Sequence, residues 1–356
     1  MSPMSSQHQR PVGRRSLGLG VGGALLGVEA LAQVVQNGPP SPAIPPPLPA
    51  QASGLPIGVT AGRELFTLLG STLLGTYTQI VDDISRVLNE HYPSGPRTVT
   101  ALAGGGLQAV HDLVRQDVFS GAVLSSVVLD VIRQAGWLPE LTDQLSYVSQ
   151  LYHEEVHIVS SQLYQDIPSL NGKPVNVGPP GGGTDVIARR MFDLLGIRPL
   201  YDNRATLAAL RDVPSGTVAA IVYIAGKPVP LFRDFGPVGN LRFMPIRVPV
   251  DRRGALVQQF RSAVLLPGDY PNFVPTGTQV ETLSSPVFLI IRNGQYSEIR
   301  QQALAALQTE VVNSIVTLQN GAAQGVYHPK WREVSVLERL PGFRRTPALR
   351  RWFEQD

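Results

Sequence analysis

Five consecutive residues carry the sharpest chemical signal in the chain: His153-Glu154-Glu155-Val156-His157 satisfies the H-E-x-x-H pattern of zinc metalloproteases. That chemistry needs a helix. On a helix, histidines four residues apart lie ~6 Å from each other and can share one ion, with the glutamate as general base. On a strand the same pair is ~13 Å apart and Glu154 faces the other way. The flanking Tyr147, Val148, Tyr152, Val156, Ile158 and Val159 are aromatic or β-branched, which favours the strand. No third ligand stands out, since the next histidine is His328. His91 and His111 sit near no Ser and Asp arrangement suggestive of a triad. A zinc metalloprotease using 153–157 is thus the alternative reading. The primary expectation is a non-enzyme with no catalytic residue, no metal and no cofactor.

A second signal points to binding. In Val177-Gly178-Pro179-Pro180-Gly181-Gly182-Gly183-Thr184-Asp185 a strand runs through glycines straight into a helix. Exposed backbone N–H groups and the positive end of the helix dipole then form an anion site, and the Thr184 hydroxyl can cap or donate. A Walker loop would need a lysine before the hydroxyl residue, yet Thr184 follows Gly183 directly; the third glycine of a dinucleotide fingerprint would fall at Val186. Gly75-Thr76-Tyr77 opens another helix, and the strand from Gly121 ends in Ser125-Ser126. Small polar groups at the C-terminal ends of strands are where open α/β sheets bind ligands. The candidate ligand-binding set is therefore Thr76, Tyr77, Ser125, Ser126, Gly181, Gly182, Gly183 and Thr184, with Tyr152 and Gly226 as possible cleft wall. Its guest is a small carboxylate or amino acid.

The elements that must position these residues alternate between strand-like and helix-like blocks, the pattern of an α/β protein. Strands are expected over 65–69, 98–101, 121–124, 151–160, 174–178, 218–223, 241–245 and 287–292. Helices are expected over 77–89, 107–115, 127–135 and 185–195, the last closed by Gly196, and one long helix over 296–318. Residues 328–356 are rich in charge and yield no element.

With 356 residues the chain can build two packed lobes, because a single core stops growing at ~250–300 residues. Hydrophobic residues make up 43% and charged residues 16%, so a folded body is expected. The net charge of +3 owes much to arginines at the two ends, and no basic, aromatic-laced groove for nucleic acid is present. Cysteine is absent, which excludes disulfides and thiolate chemistry. Arg14-Arg15 precede an apolar stretch over 17–28, and Ala30-Leu31-Ala32 follows as a small-x-small cleavage site. Residues 1–32 thus read as a twin-arginine signal peptide cut near Ala32, far shorter in its apolar part than the ~20 residues of a membrane span. Residues 33–56 read as a proline-rich linker.

Several stretches together resemble the TAXI family of solute-binding proteins from tripartite ATP-independent periplasmic (TRAP) transporters. They are Gly75-Thr76-Tyr77, Gly104-Gly105-Gly106-Leu107, Leu151-Tyr152-His153-Glu154-Glu155-Val156-His157, Ala225-Gly226-Lys227-Pro228, Val274-Pro275-Thr276-Gly277-Thr278 and above all the run from Gly172 to Thr184. The chain departs from the family where Gln-Ser-Asp is usual and Ser125-Ser126-Val127 stands, and Lys227 fills the variable position of Ala-Gly-x-Pro. The resemblance implies a two-lobed periplasmic binding protein of the type II, Venus-flytrap kind with a hinge of crossing strands. Lobe one would comprise 57–150 and 288–356, and lobe two 151–287. It further implies a periplasmic, monomeric protein that captures glutamate or a related small acid and passes it to a TRAP-type permease.

Overall fold

In a computed structural model of the protein, residues 64–353 are described apart from 74, 139 and 234–239. The signal-peptide and linker readings over 1–56 lie outside the described residues. The strands in chain order are β1 (Leu65–Leu69), β2 (Arg97–Ala101), β3 (Phe119–Ser125), β4 (Leu145–Ser161), β5 (Pro174–Asn176), β6 (Leu200–Asp202), β7 (Ala220–Ala225), β8 (Leu241–Phe243), β9 (Arg261–Leu265), β10 (Val280–Arg292) and β11 (Arg344–Arg345). The longer helices are α1 (Thr76–His91), α2 (Gly106–Arg115), α3 (Ser126–Ala135), α4 (Gly183–Leu195), α5 (Glu298–Asn313) and α6 (Ile315–Ala323).

One mixed sheet runs β2-β1-β3-β10-β4-β7-β5-β6. At one end β2, β1 and β3 pair in parallel and are joined by helical crossovers; at the other, β7, β5 and β6 do the same. Between them stand β10 and β4, antiparallel to each other and to their outer neighbours. At ~3.3 Å per residue, the 17 residues of β4 reach ~55 Å, enough to leave one parallel block and enter the other. The result is an α/β fold of two lobes with crossing strands between them. Register irregularities in β10 on either side of Phe288 bend the crossing. Opposite His153 stands Pro286, which has no N–H to offer, and the His153 amide instead donates to Glu333 Oε2 at 3.0 Å.

Lobe one packs Ile80, Val81 and Ile84 of α1 against Phe66 and Leu68, with Leu304 and Leu307 of α5 and Trp331 in the same cluster. Lobe two has an aromatic cluster of Phe232, Phe243 and Tyr270. A third cluster joins Val110, Leu113 and Val127 of lobe one to Ile187, Met191 and Phe192 of α4, so the lobes meet in a closed arrangement.

The structure corrects several expectations. The helix expected over 296–318 is broken at Ser314, where the β-branched Val311-Val312 and the cap-forming Asn313-Ser314 lower helix propensity. The strand expected over 151–160 starts six residues earlier, at Leu145, and the one expected from 287 starts at Val280. The unplaced C-terminal stretch forms a 3₁₀ turn at Pro329–Glu333 and adds β11 beside β4.

Candidate ligand cleft

The H-E-x-x-H residues lie on strand β4, and both nitrogens of the His157 ring are occupied: Nδ1 by Tyr223 O at 3.1 Å and Nε2 by the Tyr270 hydroxyl at 2.6 Å. Burial lowers the His157 pKa to about 3, so the ring is neutral at physiological pH. The paired-histidine geometry of a zinc site is not formed by this segment. What the motif does supply is two buried carboxyl groups.

Glu154, 2% exposed, accepts from the Tyr77 hydroxyl at Oε2 (2.9 Å) and from Ser285 Oγ at Oε1 (3.0 Å). Ser125 Oγ lies 3.3 Å from Ser285 Oγ. Helix α1, strand β3 and both crossing strands therefore deliver one side chain each to a single polar cluster. Burial pushes the Glu154 carboxyl up to about 7, against the pull of the hydroxyls that hydrogen-bond it. The buried hydroxyls of Tyr77 and Tyr152 beside it are likewise driven up, first by burial and then by the Glu154 charge.

Next to this cluster the lobes touch. Thr76 Oγ1, at the start of α1, donates to Gly226 O at 3.5 Å. A Cβ at Gly226 would fall 3.0 Å from Thr76 Cγ2 and Lys330 Cγ and 3.1 Å from Tyr152 Cε2, so glycine permits the approach. Tyr152 is fully buried at that point, and its hydroxyl has no hydrogen-bond partner among the described residues. Glu155, also raised to about 7 by burial, is held by Lys330 Nζ at Oε1 (2.6 Å) and by the Lys227 amide at Oε2 (2.9 Å). The Lys227 side chain turns away to Asp269 Oδ2 at 2.8 Å.

The glycine loops make a second contact between lobes. Leu107 N donates to Gly181 O at 3.2 Å, and a Cβ on Gly105 would lie 2.7 Å from Gly182 Cα. Within the loop, Gly181 N donates to Asp185 Oδ2 (3.0 Å) and Gly182 N to Pro179 O (3.1 Å), while Gly183 begins α4. Thr184 Oγ1 accepts from Ile224 N at 3.2 Å and so ties α4 to β7. Ser126 lines a separate cavity beside α3.

Of the sequence-predicted set, Thr76, Tyr77, Ser125, Tyr152 and Gly226 come together around Glu154, and Gly181, Gly182 and Gly183 come against the opposite glycine loop. Thr184 and Ser126 join neither group through a hydrogen bond. Glu155, Ser285 and Lys330 were missed. Two adjacent acids inside an apolar strand were a signal of buried charge, but the metalloprotease pattern offered a competing explanation for them.

None of the curated proteins matches the chain. Among solved structures, the periplasmic aliphatic sulphonate binding protein SsuA from Escherichia coli is 12% identical, covering 76% of this chain and 80% of its own, with a TM-score of 0.42. Lactococcal OpuAC in its closed-liganded conformation with glycine betaine is also 12% identical, covering 72% of this chain and 91% of its own, with a TM-score of 0.42. The ligand-binding component of an ABC-type import system from Staphylococcus aureus, with zinc bound, is 10% identical over 76% and 84% with a TM-score of 0.44. At these scores the likeness adds nothing to the strand order already described. A family match does: residues 69–302 fit the NMT1-like family, and the chain belongs to it.

Proposed function

We propose that the protein is an exported solute-binding protein that captures a small anionic metabolite, a glutamate-like amino acid or a dicarboxylate, for uptake by a TRAP-type secondary transporter. It works as a monomer in the periplasm, after a twin-arginine signal is removed near Ala32, with residues 33–56 as tether. Lobe one takes in 57–150 and 288–356, lobe two 151–287, and the solute sits between them at Thr76, Tyr77, Ser125, Ser126, Gly181, Gly182, Gly183 and Thr184, walled by Tyr152 and Gly226. Contacts made only in the closed form are what allow such a solute to shift the hinge equilibrium.

The observation that carries this reading is the Tyr152 hydroxyl, fully buried and without a hydrogen-bond partner among the described residues at the point where Thr76 and Gly226 bring the lobes together. A buried hydroxyl left unpaired costs roughly 1–3 kcal/mol. A solute that reaches it from the cleft removes that cost only when bound. The test is calorimetry with L-glutamate and succinate on the wild type and Tyr152→Phe. Saturable binding without added metal, weakened about tenfold in the variant, is the expected result. Zinc-dependent casein cleavage lost in Glu154→Gln, with no solute bound, would overturn the reading in favour of the protease.

A further inference from the structure

A cavity of about 810 Å³ opens where α3 and α4 of the two lobes face each other above β9 and β10. Apart from Ser126 it shares no residue with the cleft set, and its size falls in the ~300–1,000 Å³ range of small-molecule sites.

Its floor is polar. Gln150 of β4 and Ser284 of β10 are only 4% and 3% exposed, and neither side chain hydrogen-bonds to a described residue. Both can donate and accept at once, a match for the hydroxyl groups of a guest.

The walls are cationic. Arg133, Arg190, Arg261 and Arg339 line the cavity against Asp130 and Glu338. Asp130 is already covered by Arg133, Gln134 and Gln259. Arg261 meets no carboxylate among the described residues; its guanidinium donates to the main-chain oxygens of Val257 (2.7 Å) and Phe260 (3.1 Å). Arg339 is exposed and has no partner among the described residues. Guanidinium groups in that state pair with carboxylates through charge-assisted hydrogen bonds. Leu194, Pro286 and Leu340 add an apolar wall that suits the C–H face of a ring.

We infer that this cavity is a second binding site, for a hydroxylated organic acid of the sugar-acid class, with the carboxylate toward Arg261 and Arg339 and the hydroxyls on Gln150 and Ser284. Ser126 and Arg133 belong to lobe one, and Arg190 and Arg261 stand on the opposite wall with α4 and β9, so the occupant bridges the lobes and favours their closed arrangement.

The test uses the full chain with D-glucuronate as probe, read by thermal unfolding and calorimetry. Glucuronate is expected to raise the unfolding temperature and bind saturably, whereas D-glucose, which lacks the charge, does not. Arg261→Gln and Gln150→Leu each weaken binding roughly tenfold, the loss of one such hydrogen-bonded contact. The arginine is exposed, so its removal leaves the fold intact even if the buried glutamine proves less tolerant. Three results would each overturn the assignment: no saturable response to millimolar glucuronate, equal affinity in wild type and Arg261→Gln, or competition by L-glutamate, which would place the probe in the glycine-loop cleft instead.

Discussion

Replacing Glu154 by glutamine should stabilise the protein, and only above mildly acidic pH. The carboxyl is held at about 7 in the fold, against the ordinary 4.5 of a glutamate, because burial penalises its charge and no cation among the described residues touches it. The charge that acts on it is that of Lys330 on the C-terminal turn, already engaged by Glu155 and Glu333, since Glu155 points to the opposite face of the strand; Tyr77 and Tyr152 stay neutral. A group whose folded pKa is raised keeps its proton longer in the folded chain than in the unfolded one. Its contribution is therefore full below about 4.5 and is lost as pH rises through about 7. The interval corresponds to about 3 kcal/mol. Glutamine is neutral throughout and can still accept from Tyr77. For a chain of this size 1 kcal/mol moves the unfolding midpoint by about 2 °C, so Glu154→Gln should match the wild type near pH 4.5 and exceed it by about 6 °C at pH 8.5. Calorimetric scans across that range test it. Glu155 titrates in the same window but is present in both proteins, so its effect cancels in the difference. Parallel midpoint curves, or a variant less stable at pH 8.5, would show that Glu154 is not a buried carboxyl held without a cation.

Two further outcomes rest on single contacts. Lys330→Met strips Glu155 of its cation at a site where both side chains are almost wholly buried, which should cost about 3–5 kcal/mol in urea unfolding; adding Glu155→Leu should restore most of it, and equal losses in the single and double variants would refute the pairing. Gly105→Ala places a methyl 2.7 Å from Gly182 Cα, which should prop the lobes apart, enlarging the radius of gyration in X-ray scattering and weakening L-glutamate binding, at a stability cost of about 1–3 kcal/mol because alanine is strained at a φ of 156°; an unchanged scattering profile would contradict it.

Glycine punctuation and periodicity located much of the fold. The strand expected over 65–69 is β1, and the helix expected over 185–195 is α4, ended by Gly196 in the left-handed region at φ 75°. Local signals failed where tertiary pairing decided the outcome. The start of β4 carries Ser146, Ser149 and Gln150 and does not read as a buried strand, yet β10 and β11 both pair with it and close it from solvent. Strand β9 opens with Arg261-Ser262 and owes its existence to pairing with β10. Lys330 sits in a charged tail without periodicity, and only the folded chain brings it to Glu155, 175 residues away. The candidate cleft divides in the same way. Residues that open helices or end strands were legible, whereas Glu154 and Ser285, which complete the cluster, depend on the register of β4 with β10.

That division bears on what holds the lobes shut. The direct hydrogen bonds between them at the cleft, Thr76 to Gly226 and Leu107 to Gly181, are neutral and long, at 3.5 and 3.2 Å. Neutral hydrogen bonds of even good geometry contribute only about 1 kcal/mol net. The strong contacts, Tyr77 to Glu154 and Lys330 to Glu155, end on β4 where it crosses between the lobes, so they fix that crossing point to α1 and the C-terminal turn. Among the described residues the Lys227 amide, following β7, ties lobe two to Glu155. Closure therefore rests on apolar contact between α2, α3 and α4 and on few polar bonds, a balance that a guest making two or three charge-assisted hydrogen bonds across the gap is strong enough to decide.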